Sequence, residues 1–326
     1  MRFVYDKPCM SKSLDRLSLL QTFVRIADAG SISAAARDLG LSQPSVSRQL
    51  AELESRFKAQ LMRRTTHDLS LTTAGAELLA DARRLLDEWE ALEEKHLEAE
   101  DALRGKLKVV VPVALGQLYL LDAVIQFQQQ NPEITLSWQL QDGNIRFAEV
   151  GCDCWVKIGQ VVDESLMVEP LGEVERIAVA APQLLKTYGE LKKPKDLAML
   201  PVIALEPFEG KRIPLTNTKK KTVVITPPTK MTTNNISAVR KATLAGLGWA
   251  VLPRWFIEEE LNKQQLIDLL PSWRAPKLTI RVASLPGRHR PRRLQSFLDV
   301  LKATVPTIPG VELLSRKVIK HRRDIV

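Results

Sequence analysis

The feature that most constrains this chain is the punctuation between residues 30 and 45, where glycine, serine and proline recur at the spacing of two short helices and a tight turn. Gly30 stops the preceding segment, and Ser31 is an N-cap residue for an Ala-rich stretch that ends at Leu39 and Gly40. Leu41 fills the turn and Ser42 is a second N-cap. Pro44 falls in the first helical turn, where a missing N–H costs nothing. Upstream, Leu17, Leu20, Val24 and Ala27 repeat at the spacing of one helix face. In the second helix Ile32, Ala36 and Leu39 are expected to face inward, and in the third Val46, Leu50, Leu53 and Phe57. Two short helices joined by so short a turn make a helix-turn-helix unit.

What lies on the outer face of the third helix indicates its use. Gln43, Ser45, Ser47 and Arg48 fall there with Gln49 beside them, donors and acceptors long enough to reach base edges in double-stranded DNA. Ser31 and Pro44 join this candidate contact set, since helix N-termini favour phosphate. Serine and glutamine on a helix face are often only solvated, but here the flanking turn chemistry agrees with DNA binding at each step. Arg63, Arg64 and Thr65, followed by the alternating Leu69-Ser70-Leu71-Thr72, predict a small hairpin with a basic tip that touches phosphate or the minor groove. His67 reads as a loop residue.

From Thr73, read as an N-cap, to Leu103 there is no proline and the only glycine is Gly75. Leu78, Ala82, Leu85, Trp89, Leu92, His96, Ala99 and Leu103 alternate at spacings of four and three, a heptad seam. Such a helix, about 45 Å long at about 1.5 Å per residue, has no core of its own. It is expected to meet a partner helix, with packing on its own C-terminal domain as the alternative.

Beyond Arg104-Gly105, strands are expected near 107–111, 134–140, 154–158, 177–181, 223–226, 249–252 and 278–283. Helices are expected over 118–130, 182–188, 235–245, 254–262 and 292–304, and the alternation predicts an open α/β fold with mainly parallel pairing. Ligands in such folds bind beyond the carboxyl ends of strands. That places candidate effector contacts at Val113, Ala114, Leu115, Gly116 and Gln117, at Leu205 and Glu206, and at Thr233, Asn234 and Asn235, where backbone N–H groups suit a carboxylate.

Two runs, "GSISAAARDLGLSQPSVSRQLAELE" and "LMRRTTHDLSLTTAG", resemble the LysR-type transcriptional regulators. "RGKLKVVVPVALG", "ERIAVAAPQLLKTYG" and "ATLAGLGWAVLP" carry the resemblance into the C-terminal part. The resemblance implies an N-terminal all-α winged helix-turn-helix and a long linker helix, followed by a C-terminal α/β two-lobed domain like a periplasmic binding protein. It further implies linker helices paired antiparallel in a homodimer or homotetramer, a small-molecule effector with anions among the candidates, and RNA polymerase as a candidate contact. The expected boundaries are 1–73, 74–103, 104–312 and a basic tail over 313–326. The chain departs from the family near Ala59, usually a glycine, at Leu61-Met62, usually Leu-Phe, and at Lys157, usually an arginine. Lysine keeps the charge but loses the bidentate fork.

Charge supports this division. Residues 1–73 hold 11 basic and 7 acidic residues, net +4; residues 74–103 hold 3 and 10, net −7; the remainder holds 33 and 21, net +12. No apolar run approaches the ~18 residues of a membrane span, and residues 1–13 lack the apolar core of a secretory signal. Cys9, Cys152 and Cys154 are too few for a disulfide framework, so a cytoplasmic protein is expected. Cys152 and Cys154 are read as buried packing residues rather than redox sensors. No cofactor and no metal site is expected, and a solute-binding protein or an enzyme with a DNA-binding head are the competing classes. Neither a phosphate-binding glycine loop nor a G-x-S-x-G, H-E-x-x-H or other catalytic motif is present, and the four histidines are scattered. A constitutive regulator without an effector is the remaining variant.

Overall fold

A computed structural model describes residues 15–64, 69–96, 103–189, 191–209, 212–286 and 290–313. The expectations for Thr65 to Asp68, for the linker between 97 and 102, and for the C-terminal tail from 314 fall outside these residues. The chain divides into two compact units. One comprises the described part of residues 1–100 with 145–152 and 290–292, and the other comprises the rest.

In the first unit, α1 (Arg16–Ala29), α2 (Ile32–Leu39) and α3 (Gln43–Phe57) precede a hairpin of β1 (Met62–Arg64) and β2 (Leu69–Leu71) and the long α4 (Thr73–His96). The capping chemistry operates as expected for α2 and α3. The Ser31 and Ser42 hydroxyls accept from the N–H groups of Ala34 (3.0 Å) and Ser45 (3.3 Å). Gly40 closes α2 with a left-handed φ of 64°, which lets its N–H turn back to the last carbonyls. The cap of α4 is Thr72, whose Oγ1 accepts from Gly75 N–H at 3.0 Å, and not Thr73, which is already helical.

The core of this unit gathers Leu19, Phe23 and Ile26 of α1, Ala35 and Ala36 of α2, Val46, Leu50 and Leu53 of α3, and Leu79 and Ala82 of α4. Two expectations change here. On α1 the seam is Leu19-Leu20-Phe23-Ile26, and Leu17, Val24 and Ala27 flank it half-buried. α1 packs against α2, α3 and α4 at once, which rotates its larger side chains inward. Phe57, expected inside, is 53% exposed. Lys58 ends α3 in a left-handed conformation (φ 51°), so the last turn leaves the core. This residue, next to Ala59, is where the family's glycine would relax the backbone.

In the second unit, β3 (Gly105–Val111) leads through α5 (Val113–Leu115), a π-helical turn and α6 (Leu121–Gln130) to β4 (Ile134–Leu140), which pairs parallel to it. The short α7 (Phe147–Val150) lies in the first unit. Then follow β5 (Cys154–Ile158), β6 (Met167–Ala180), α8 (Pro182–Tyr188), β7 (Val202–Leu205), β8 (Ile213–Asn217), β9 (Thr222–Ile225) and β10 (Thr229–Thr233). After α9 (Ile236–Leu244) come β11 (Ala250–Pro253), α10 (Glu258–Asn262), β12 (Ile267–Asp268), β13 (Trp273–Ser284), α11 (Arg292–Thr304) and β14 (Val311–Glu312).

Parallel pairing does not dominate. β3 pairs parallel with β4 and β5, and β7 with β10, but the long β6 and β13 run antiparallel and carry antiparallel partners along their lengths. The Ala283 end of β13 pairs with β5, whereas its Trp273 end pairs with β8. Likewise the C-terminal half of β6 pairs with β11 and β12. Two strands thus run through two lobes, each with apolar packing of its own: one around Leu107, Val109, Phe127 and Phe297, the other around Leu184, Leu197, Leu215 and Trp249. β6 escaped detection over its first half because Pro170, Gly172, Glu169, Glu173 and Glu175 interrupt its apolar pattern.

Candidate nucleic-acid interface and effector cleft

On α3, Gln43, Pro44 and Arg48 are exposed and Ser45 and Ser47 half-exposed. Ser45 pairs its hydroxyl with that of Ser42 at 2.8 Å, which stiffens the N-terminal turn. Arg48 folds back through Nε to the Pro44 carbonyl at 3.4 Å, a long bond that a better acceptor would displace. Ser31 is half-buried and its oxygen is engaged as the α2 cap.

Gln49 is corrected. It is 7% exposed and its carboxamide oxygen accepts from the Thr22 hydroxyl, so it ties α3 to α1 and does not face outward. A heptad-like count places 49 beside 48, yet its side chain falls on the Val46–Leu50–Leu53 face. A buried amide needs a partner, and Thr22 is that partner. Arg63 is exposed on β1 opposite Ser70, and the β1–β2 register also brings Arg64 opposite Leu69.

In the second unit a cleft is lined by Ala114, Leu115, Leu205, Glu206 and Asn234 from the expected set. Val113, Gly116, Gln117, Thr233 and Asn235 do not line it. The reasons are local. Val113 N–H is held by Asp142 Oδ1 at 2.9 Å, and Gly116 is wedged against Val111 and Leu140, where a Cβ would come within 2.6 Å of both. Gln117 is exposed. The Thr233 hydroxyl accepts from Asn235 N–H (3.2 Å), and the Asn235 side chain caps α9 at Ala238 N–H (3.0 Å). Residues that the sequence left unmarked complete the walls, among them Asp142, Ile158, Arg176, Glu209 and Trp255. One signal was available: Arg176 heads the apolar run 177–181, and a buried charge there demands a partner.

That partner is Glu209, which accepts from Arg176 Nη1 at 2.5 Å and from Leu205 N–H at 3.2 Å, while Arg176 Nε donates to the Pro276 carbonyl. Burial pushes the Glu209 carboxyl up from 4.5 to about 7, against the pull of Arg176. A carboxyl raised on folding binds more protons in the folded state. Its contribution to stability is therefore full below about 4.5 and is lost as pH rises through about 7. In urea unfolding of the full chain at pH 5 and pH 8, Glu209→Gln should gain stability relative to the wild type across that window. A constant difference would show that Arg176 keeps Glu209 ionised throughout.

Lys157, the position where an anion contact was in question, is 7% exposed. Its Nζ donates to the Asp142 and Gly143 carbonyls (3.2 and 3.3 Å) and lies 5.5 Å from the Trp155 ring centre. Burial lowers its pKa, partly offset by the Asp142 charge. The lysine fastens the 142–143 turn. Cys152 and Cys154 are both buried and unbridged.

A capped helix-turn-helix with a two-stranded wing, on a chain that also carries a two-lobed α/β unit, defines a DNA-binding transcription regulator. Residues 17–76 match the model of the bacterial regulatory helix-turn-helix protein, lysR family, and residues 100–306 that of the LysR substrate binding domain. The chain belongs to the LysR family of transcriptional regulators. It is 28% identical over 291 residues to the uncharacterized HTH-type transcriptional regulator YhjC of Escherichia coli K12, covering 88% of this chain and 97% of that one. It is also 28% identical over 298 residues to the HTH-type transcriptional regulator PtxR of Pseudomonas aeruginosa, covering 90% and 96%. The full-length structure of LysG from Corynebacterium glutamicum with bound effector Arg shares the fold, with a TM-score of 0.62, 19% identity, and coverage of 89% and 98%. No helix among the described residues is long and apolar enough to cross a membrane.

Proposed function

We propose that this regulator is a cytoplasmic homodimer, or a dimer of dimers, that lays α3 in successive major grooves of an inverted repeat and adjusts its grip when a small molecule fills the cleft. The observation that carries the reading is the exposed Gln43 and Arg48 with the half-exposed Ser47 at the capped start of α3, in the same unit as the basic wing strand of Arg63. Ser31 and Pro44 border that face, and Arg64 and Thr65 are assigned to backbone contacts from the sequence alone. Residues 1–73 bind DNA in this reading, 74–103 dimerise, and 104–312 sense the effector. The bound Arg in LysG supports a ligand-holding role for a domain of this fold.

A gel shift on DNA upstream of its own gene, with random competitor, tests it. Arg48→Ala should lose about 10- to 100-fold in affinity for the specific site, the ~1–3 kcal/mol of a bidentate base contact, and little for random DNA. Arg63→Ala should weaken both alike and lower the salt slope by about one. Equal losses on both DNAs for Arg48→Ala would remove it from base readout.

A further inference from the structure

The cleft is poorly furnished for an anion. Arg176 is the one cation among its described lining residues, and its Nη1 and Nε are engaged, by Glu209 and by the Pro276 carbonyl. Lys157, the nearest candidate substitute, is held by two backbone carbonyls. Several backbone N–H groups that would receive a carboxylate are engaged as well. Those of Val113 and Leu205 are held by Asp142 and Glu209, that of Glu206 by the Thr233 carbonyl, and those of Asn235 and Ala238 by side-chain oxygens.

What the cleft offers instead is one uncompensated carboxylate over an apolar floor. The Glu206 carboxylate is exposed at the rim and its side chain has no ion-pair or hydrogen-bond partner among the described residues, whereas Asp142 shares its charge with Val113 N–H and the Lys157 ammonium behind it. Leu115, Ile158, Phe208 and Trp255 line the interior, and aromatic rings attract cations. The Trp255 indole N–H is buried without a hydrogen-bond partner among the described residues.

We infer that the effector is a small organic cation, an amine on an apolar body, whose ammonium pairs with Glu206. This rests on the cleft being the effector site. Calorimetry on the full chain with 2-phenoxyethylamine, 2-phenoxyethanol and phenoxyacetate tests it, with gel shifts run on the same mixtures. The amine should bind saturably and tighter than the alcohol, and phenoxyacetate weakest. Glu206→Gln, an exposed and isosteric change, should weaken the amine at least about tenfold and leave the alcohol unchanged, since only a charge-assisted bond is lost. Tighter binding of phenoxyacetate, equal binding of amine and alcohol, binding of none of the three, or indifference to Glu206→Gln would overturn the assignment. Amine binding that depends on Glu206 but leaves DNA affinity unchanged would uphold the ligand class and sink the effector reading instead.

Discussion

Replacing Gly75 with alanine is expected to unseat the N-terminal unit and abolish specific DNA binding at temperatures where the wild type binds. A Cβ at position 75 would stand 2.0 Å from the Leu61 carbonyl oxygen and 2.9 Å from its carbon, both backbone atoms. Flexible side chains yield to such a contact, but this backbone is pinned. The Leu61 and Met62 N–H groups are held by the Glu54 carboxylate (2.8 and 3.2 Å), and Thr72 N–H and Oγ1 both bond to the Leu61 carbonyl. The start of α4 therefore has to lift away from the wing base, dragging Leu79 and Ala82 out of the core. Overpacking of this kind costs ~1–3 kcal/mol and more where backbone must move. The sign is what makes the test sharp, because glycine-to-alanine in an unobstructed helix stabilises by about 1 kcal/mol. Thermal melting followed together with DNA binding would reveal it. Increased stability would mean that the close approach is not real.

Trp89→Glu is expected to convert the protein to a monomer and to cut affinity for an inverted repeat by about two to four orders of magnitude, the avidity gained by joining two binding modules. The heptad seam of α4 is divided in its use. Leu78 is half-buried and Ala82 buried in the first unit, with Leu79 beside them in the core, whereas Leu85, Trp89 and Leu92 remain 47%, 43% and 41% exposed. Three large apolar residues at spacings of four and three on one charged helix make a stripe whose exposure is unfavourable by about 25 cal/mol for each Å². A glutamate in its middle would leave a charge buried in a paired helix and cost nothing in a solvated one. Sedimentation or light scattering at micromolar concentration separates the two. An unchanged dimer would assign the assembly to another surface, such as the exposed Leu118 of the π-helical turn with Leu121 and Ile125 of α6.

Much of the N-terminal unit is legible in the chain because its signals are local. Ser31, Gly40 and Ser42 act on backbone groups within one turn of themselves, so capping chemistry alone places α2 and α3. The strand Ile134–Leu140 reads from its alternation for the same reason. Which way Gln49 turns is a different matter. It depends on where Thr22 of α1 stands across the core, a contact 27 residues away in the chain.

The sequence by itself determined the helix-turn-helix, the hairpin after it, the long apolar-striped helix and the positions of most strands in the α/β unit. Each of these is specified by propensity, caps or periodicity over a few residues. Only the tertiary structure decided that β6 and β13 run antiparallel through both lobes, since strand direction is a property of the pairing and leaves no local mark. The tertiary structure also decided the chemistry of the cleft, where Asp142, Arg176, Glu206, Glu209 and Trp255 converge from separate segments. A carboxylate site was expected from helix N-termini and loops, yet several of those N–H groups had already found partners, some nearby such as Glu209 and Thr233 and some distant such as Asp142. Most buried polar groups must be satisfied, and which partner satisfies each is settled only when the chain has folded.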